Sequence, residues 1–176
     1  MIISDEQREE NFQEYLRLLK DPNYVDICFD EQSGGVSAVH REHKFDPKIG
    51  ILGIRKGEYE KHAVEVLRKK GHQVYLESEV APDGIKIPDG SLDGAILEIK
   101  SVEGKGKWAI KDKLHYATKQ GADCVALYFP KKELFTCEKI LDGWDKYLRD
   151  ESSQKYAKGI RRIICIVEDT EIEFEP

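Results

Sequence analysis

The chain has 176 residues, of which 40% are hydrophobic and 35% are charged, and its formal net charge is -6 at pH 7. This length and composition predict one soluble domain, 1–176, and no run of residues is long and apolar enough to cross a bilayer. The negative charge argues mildly against a general nucleic-acid binder, because affinity for phosphate comes mainly from Lys and Arg.

The start of the chain carries no signal for export. Residues 1–8 contain neither the basic nor the apolar region of a signal peptide. The four cysteines form no close pairs along the sequence and are interpreted as reduced core residues: Cys28, Cys124, Cys137 and Cys165. We therefore expect a cytoplasmic protein without membrane contact.

The first 45 residues predict a helix followed by a β-hairpin. Apolar side chains recur at the spacing of one helix face at Phe12, Tyr15, Leu16 and Leu19. Asp21-Pro22 ends this helix. Two short strands, Tyr24 to Phe29 and Val36 to Val39, then flank Ser33-Gly34-Gly35. We interpret 1–45 as an extension of a core formed by 46–176.

His40 and His43 are three residues apart. That spacing would suit a metal-binding pair only if both lay on one helical turn. The alternation of residues around them indicates a strand instead, so no zinc site is expected there.

A second helix is predicted over Gly57 to Gly71, followed by a strand from His72 to Val80. On a period of 3.6 residues, Glu60, Val64 and Leu67 lie on one stripe. Glu60 is therefore an acid at the edge of the buried face.

Asp93-Gly94 lies between two mostly apolar runs, which is the strongest short-range signal for a two-residue hairpin. Closing the turn there places Asp89 opposite Glu98. Like charges directly opposite each other destabilise a sheet, so we expect a cation between them or shifted pKa values. Lys100, two residues beyond Glu98, projects from the same face.

Each of these residues also has a simpler explanation. Asp93 competes with Asp89 as the functional acid, but Asp tolerates the positive φ of a turn, and Asn in its place should be nearly silent. Glu98 and Lys100 could form the solvated face of an antiparallel strand. Their combination with Asp89, and with Glu60 on the preceding helix, favours a site.

The C-terminal half predicts alternating helices and strands. A helix through Ile110, Leu114 and Ala117 precedes the continuous apolar run Cys124 to Phe129, which is typical of a central strand covered on both faces. A helix from Leu134 to Leu148 and a final strand, Arg162 to Val167, follow. In that helix we expect these side chains to face inward: Ile140, Leu141, Trp144 and Leu148. The fold class is α/β, with a central mixed β-sheet flanked by helices.

Basic and polar residues follow the Glu-x-Lys strand. Four lysines could line a groove that tracks a nucleic-acid backbone, or could form a solvated loop: Lys105, Lys107, Lys111 and Lys113. Lys119 and Gln120, at the end of the next helix, either reach the site or are solvated.

Pro88-Asp89 followed by Glu98-Ile99-Lys100 resembles the signature of the PD-(D/E)xK nuclease superfamily, and Glu60 matches the acid that its members usually add from a preceding helix. The likeness covers roughly Gly57 to Pro130. It implies a restriction-endonuclease-like core.

The chain resembles more closely the tRNase domains at the C-terminus of contact-dependent growth inhibition toxins (CdiA) and related polymorphic toxin modules. The resembling segments are 33–40, 60–71, 88–100 and 117–123. This resemblance implies cleavage of RNA, specifically tRNA, and a cognate immunity protein as partner. Resemblance to the superfamily alone would imply DNA as a substrate equally well as RNA.

The resemblance implies a catalytic set of Glu60, Asp89, Glu98 and Lys100. The carboxylates of Glu60, Asp89 and Glu98 are hard oxygen ligands that suit Mg²⁺ or Mn²⁺ rather than zinc. Lys100 would orient or activate the attacking water and contact the phosphate. Two alternatives remain open, namely a DNA endonuclease of a mobile element or repair pathway, and a catalytically silent binding or immunity protein with a nuclease-like fold.

Overall fold

The computed structural model describes residues 2–156 and 159–174, which form one mixed eight-stranded sheet with flanking helices. The helices are α1 (Asp5–Leu18), α2 (Lys56–Lys69), α3 (Ala109–Lys119), α4 (Cys137–Arg149) and α5 (Glu151–Gln154). The strands are β1 (Tyr24–Phe29), β2 (Val36–His40), β3 (Gln73–Leu76), β4 (Gly90–Leu92), β5 (Ala95–Ser101), β6 (Cys124–Phe129), β7 (Arg162–Val167) and β8 (Thr170–Phe174). The predicted α/β class, with an N-terminal helix and hairpin, is confirmed.

The strands lie in the sheet in the order in which they occur along the chain. Pairing is parallel for β2–β3, β5–β6 and β6–β7, and antiparallel for the remaining neighbours. Each parallel pair is separated by a helix, α2, α3 or α4, because a parallel neighbour needs a crossover connection. The N-terminal hairpin joins the rest of the sheet through the parallel β2–β3 pair.

Two separate cores cover the sheet around β6. Tyr59 and Leu67 of α2 belong to one buried cluster, together with Ala126 of β6. Leu114 of α3 belongs to the other, together with Leu127 of β6. All six residues of β6 are buried, as its continuous apolar run predicts for a strand covered on both faces.

The β4–β5 hairpin has the predicted turn and register. Asp93 and Gly94 have φ values of 48° and 84°, as both positions of a type I′ turn require. Leu92 pairs with Ala95 and Gly90 pairs with Leu97. The next residue outward, Asp89, consequently lies beside Glu98.

The turn is also tied to the rest of the sheet through Asp93. Its carboxylate is 2.6 Å from Nδ1 of His72 and accepts a hydrogen bond of 2.8 Å from the Gln73 amide. The other ring nitrogen of His72 is 2.7 Å from Glu171 of β8. The assignment of Asp93 to the turn agrees with these contacts, but the expectation that Asn would be silent there ignores the bond to His72.

The buried faces of two helices differ from the predicted ones. In α1 the buried residues are Asn11 and Leu18, because the Asn11 amide donates to the Gly34 carbonyl. In α4 the buried residues are Ile140, Gly143 and Tyr147. Gly143 is buried because it has no side chain, which lets Ile110 of α3 pack directly against the α4 backbone. Among the residues that the sequence placed on these two apolar faces, those at least one third exposed are Phe12, Leu16, Leu19, Leu141 and Leu148.

Other predicted element boundaries, and the predicted burial of the cysteines, also differ from the structure. β3 ends at Leu76 rather than Val80, and α4 begins at Cys137 with Thr136 as its N-cap. Of the four predicted core cysteines, Cys124 and Cys165 are buried, Cys28 is half-buried and Cys137 is exposed.

The strand β8 was not predicted, since the last strand expected from the sequence is Arg162 to Val167. It pairs with β7 and lies at the end of the strand order, where charged residues are favoured because they discourage edge-to-edge association. Within 2–156 and 159–174, no helix combines the length and apolar character needed to span a membrane.

We expect Gly90→Ala to lower the free energy of unfolding by about 3 kcal/mol, because a forced clash in a packed sheet is strongly destabilising. A Cβ at Gly90 would lie 1.7 Å from the Tyr75 carbonyl oxygen of the neighbouring strand. Urea unfolding measures the effect. Gly104→Ala is the control, since a Cβ there meets no atom within 4 Å. Equal stability of the two variants would contradict the close approach of β3 and β4.

Candidate functional site

A cavity of about 350 Å³ lies beside the β4–β5 hairpin and contains most of the predicted site residues. Its acidic lining residues are Asp46, Glu60, Glu79, Asp89 and Glu98. Its basic lining residues are Lys44, Lys48, Lys56, Lys100 and Lys113, and Gln120 also lines it. The predicted set Glu60, Asp89, Glu98 and Lys100 is thus brought together in one cavity.

Asp89 and Glu98 form a buried pair of acids at the start of β4 and within β5. Their exposed fractions are 9% and 3%, and the Asp89 amide donates a 3.1 Å hydrogen bond to Glu98 Oε2. Burial raises the pKa of Asp89 well above its usual range, and the charge of Glu98 raises it further. Burial also raises the pKa of Glu98, although Lys100 opposes that rise. The predicted pKa shifts of opposed acids therefore occur.

Lys100 lies on the same face as Glu98, as the alternation of the strand predicts. Its Nζ is 2.7 Å from Glu98 Oε1 and donates a 2.7 Å hydrogen bond to Gln120 Oε1. These two partners hold the ammonium at the cavity wall. Lys113 lines the same wall, where burial, together with the charges of Lys56 and Lys100, lowers its pKa.

Glu60 enters the cavity from α2 and has two polar partners. Its Oε2 accepts a 3.1 Å hydrogen bond from the Asp46 amide, and its Oε1 lies 3.2 Å from Nε2 of His43. Nδ1 of His43 is 3.0 Å from the Glu77 carbonyl oxygen. A carbonyl only accepts, so Nδ1 carries a hydrogen and donates it. His43 thereby presents Nε2 to Glu60.

Sequence reasoning missed His43 and Glu79. One ligand atom from each of His43, Glu79 and Asp89 lies within 4.8 Å of the other two. The predicted trio was Glu60, Asp89 and Glu98, so the two trios share Asp89. His43 was considered only as a pair with His40, and Glu79 was interpreted as part of a longer β3. Both reach the site because β2 and β3 pair in parallel, which no local signal reveals.

The predicted substrate-binding residues fall into two groups. Gln120 lines the cavity, and Lys119 lines an adjacent pocket of about 360 Å³ that shares Lys100, Lys113 and Gln120 with it. Lys105 and Lys107 line a different pocket, of about 250 Å³, beside Ile110. Contact of a substrate with Lys105, Lys107, Lys119 and Gln120 remains a prediction.

The donor atoms of the cavity fit a divalent cation. Carboxylate oxygens suit Mg²⁺ and Mn²⁺, and an imidazole nitrogen adds a ligand that transition metals accept readily. Among the described residues, the ligand atoms that lie within 4.8 Å of one another belong to His43, Glu79 and Asp89. The other two predicted ligands, Glu60 and Glu98, line the same cavity but are not part of that group. The surrounding lysines can contact an anionic substrate.

No family model and no curated protein matches the sequence. One solved structure is similar in fold, the CdiA-CT/CdiI toxin and immunity complex from Burkholderia pseudomallei, with a TM-score of 0.54 and 16% sequence identity. The match covers 80% of this chain and 99% of the matched chain. At this identity the comparison supports a fold like that found in such a complex.

Divalent metal is expected to stabilise the folded chain, because the candidate ligands come from separate segments and meet only in the native state. At a hundredfold excess over Kd, the gain in the free energy of unfolding should be about 2.7 kcal/mol. Thermal melting of chelator-treated protein, with and without Mg²⁺ or Mn²⁺, measures it. Asp89→Asn should lose most of the gain, and an unchanged melting temperature of the wild type would refute metal binding.

Proposed function

We propose that the chain is a metal-dependent nuclease of the PD-(D/E)xK type that hydrolyses phosphodiester bonds in RNA, with tRNA as its preferred substrate. One observation carries the proposal. Asp89, Glu98 and Lys100 lie side by side in a cavity that also contains Glu60, and the two buried acids have raised pKa values. Perturbed acids that converge with a lysine in a cleft are typical of catalytic sites.

In the proposed reaction, a water oxygen attacks phosphorus and the bond from phosphorus to one ribose oxygen breaks. The water gives up one proton and the departing ribose oxygen takes one up, so the products are a phosphomonoester and a free hydroxyl. A divalent ion bound by the acids would supply Lewis acidity and lower the pKa of the attacking water. Lys100 is already oriented by Glu98 and Gln120, and it contacts the water or the scissile phosphate. Lys113 contacts a neighbouring phosphate oxygen from the same wall.

RNA is preferred to DNA on the strength of the resemblance to toxin tRNase domains. The fold similarity to a toxin and immunity complex supports a protein partner. We propose that this partner is a cognate immunity protein and that the nuclease acts in the cytoplasm, where tRNA is found. Five lysines line the cavity beside the five acids, and these lysines can contact the phosphates of an RNA substrate.

The test incubates purified protein with total tRNA and with plasmid DNA, each with chelator, Mg²⁺ or Mn²⁺. Metal-dependent cleavage of tRNA alone supports the proposal. Cleavage of the plasmid alone would support the DNA endonuclease instead. Absence of cleavage with every metal would reject the nuclease.

The matched structure contains an immunity protein as well as a toxin, which favours a second candidate, a catalytically silent binding protein with a nuclease-like fold. That protein would form a stable complex without cutting nucleic acid. Replacing Asp89 and Glu98 together by their amides separates the candidates, because only the nuclease loses an activity.

A further inference from the structure

A second pocket, which we call the lysine pocket, adjoins the cavity that contains the acids. Its volume is about 360 Å³, within the range of about 300–1,000 Å³ that is usual for ligand sites. Its polar and aromatic lining residues are Lys86, Lys100, Lys113, Tyr116, Lys119 and Gln120. Because three of these also line the cavity, a molecule bound in the lysine pocket would lie directly beside the candidate catalytic residues.

The charge of the lysine pocket differs from that of the cavity. Five acids line the cavity, whereas no acid of residues 2–156 and 159–174 lines the lysine pocket. Of its four lysines, Lys100 is paired with Glu98 at 2.7 Å. Burial lowers the pKa of Lys113, and the charges of Lys56 and Lys100 lower it further. Lysines held together in this way repel one another, so a negatively charged ligand would be bound favourably.

One face of α3 forms a side of the lysine pocket. Lys113, Tyr116 and Gln120 lie three and four residues apart along the helix, a spacing that places their side chains in one row. Lys86, from the connection between β3 and β4, and Lys100, from β5, also line the pocket. Three separate segments therefore bring positive charge to the same aromatic side chain.

Tyr116 gives the lysine pocket an accessible aromatic surface. The residue is 53% exposed, and its ring meets the His115 ring edge to face, with 5.5 Å between the centroids. That contact helps to orient the ring. Proteins that bind single-stranded nucleic acid combine a basic groove with aromatic side chains on which bases stack. A base inside a duplex is already stacked on both sides, so an unpaired base is the one that can stack on Tyr116.

We propose that the lysine pocket binds one unpaired nucleotide of the substrate strand, next to the scissile phosphate, with its base stacked on Tyr116 and its phosphate contacted by Lys86 and Lys119. The substrate is consequently an RNA that is cut in or beside a single-stranded segment. The inference rests on the proposed function for the position of the scissile phosphate at Lys100. Binding of a strand can be measured without metal and without cleavage.

The experiment measures the binding of fluorescent hexauridylate by anisotropy, with chelator present to prevent metal-dependent cleavage. A blunt RNA duplex should bind at least about tenfold more weakly than hexauridylate. Tyr116→Ala should weaken the binding of hexauridylate by about tenfold, and Tyr116→Trp should keep it within about threefold of wild type. Trp108→Ala is the matched control, because Trp108 is 50% exposed at the start of α3 but does not line the lysine pocket.

Lys119→Ala tests the phosphate contact separately from the stacking. Loss of one lysine that contacts a phosphate of a single strand should reduce the slope of log binding constant against log salt concentration by about 0.7. Lys20→Ala, an exposed lysine far along the chain from the pocket, should leave the slope unchanged. An unchanged slope for Lys119→Ala would contradict the phosphate contact.

Equal binding of hexauridylate by wild type and Tyr116→Ala, or equal binding of hexauridylate and the duplex by wild type, would overturn the inference. Uridine monophosphate that binds as tightly as hexauridylate would also overturn it, because the pocket would then hold a free nucleotide. If Tyr116→Ala does not fold, Tyr116→Leu decides instead, since leucine keeps an apolar side chain but offers no aromatic face.

The inference and the proposed function can fail separately. A protein that binds hexauridylate through Tyr116 but cuts no nucleic acid would uphold this inference and reject the nuclease. Metal-dependent cleavage of tRNA, together with unchanged binding of hexauridylate by Tyr116→Ala, would reject this inference and uphold the nuclease.

Discussion

Replacing Glu98 with Gln is expected to lower the rate of tRNA cleavage by about a thousandfold, because a lost ligand charge removes several kcal/mol of transition-state stabilisation. The fold should tolerate the change. Gln nearly preserves the shape and relieves the repulsion with Asp89, which offsets the loss of the ion pair with Lys100. Without metal, the free energy of unfolding should stay within about 1 kcal/mol of the wild-type value.

Lys100→Ala should eliminate cleavage as well but leave most metal binding in place, because its proposed role is toward water and phosphate. Lys20→Ala, an exposed lysine next to the end of α1, is the control and should cut at the wild-type rate. Cleavage rates, metal titration by calorimetry and urea unfolding are measured on each protein. Wild-type cleavage by Glu98→Gln would show that the acids do not perform the chemistry.

The hairpin that carries these residues could be predicted because its information is local. Asp93-Gly94 supports a type I′ turn, and strand alternation then fixes which side chains lie opposite each other and which share a face. The pairing of Asp89 beside Glu98, with Lys100 on the same face, follows from that turn alone. The same holds for β6, whose apolar run indicates burial on both faces.

The rest of the site depends on contacts between distant segments, which periodicity does not encode. His43 reaches Glu60 and Glu77 only after β2 and β3 have paired across α2. The buried face of α4 is centred on Gly143, where Ile110 of α3 packs against the helix. Because glycine has no apolar side chain, the hydrophobic pattern of the sequence does not show this face. β8 is an edge strand whose side chains are partly charged and mostly exposed, so its sequence resembles that of a solvated chain terminus.

Raising the pH from 6 to 10 is expected to destabilise the protein through His72, whose side chain is completely buried. Burial alone lowers the pKa of His72, but hydrogen bonds to Asp93 and Glu171 outweigh it and raise the pKa to about 9. In the unfolded chain the value is about 6.5. The folded state therefore holds this proton more tightly than the unfolded state does.

The sign of the effect follows from that difference. The stabilisation is fully present below about pH 6.5 and is lost as the pH rises through about 9, and the pKa difference corresponds to about 3 kcal/mol in the free energy of unfolding. Urea unfolding at intervals of pH measures it. His72→Gln should flatten this part of the curve, and an unchanged curve in that variant would contradict the assignment.

Asp93→Asn tests the same contacts at pH 7, because Asn keeps the turn but removes the charge that faces His72. Asp93 is 35% exposed, so solvent screens part of the interaction and the expected loss is about 2 kcal/mol rather than the full value for a buried pair. Asp83→Asn, on an exposed loop, is the control and should leave stability unchanged. Because the turn holds Asp89 beside Glu98, Asp93→Asn should also lose cleavage activity at lower urea concentrations than the wild type. Equal urea midpoints for the two variants would show that the bond to His72 does not stabilise the hairpin.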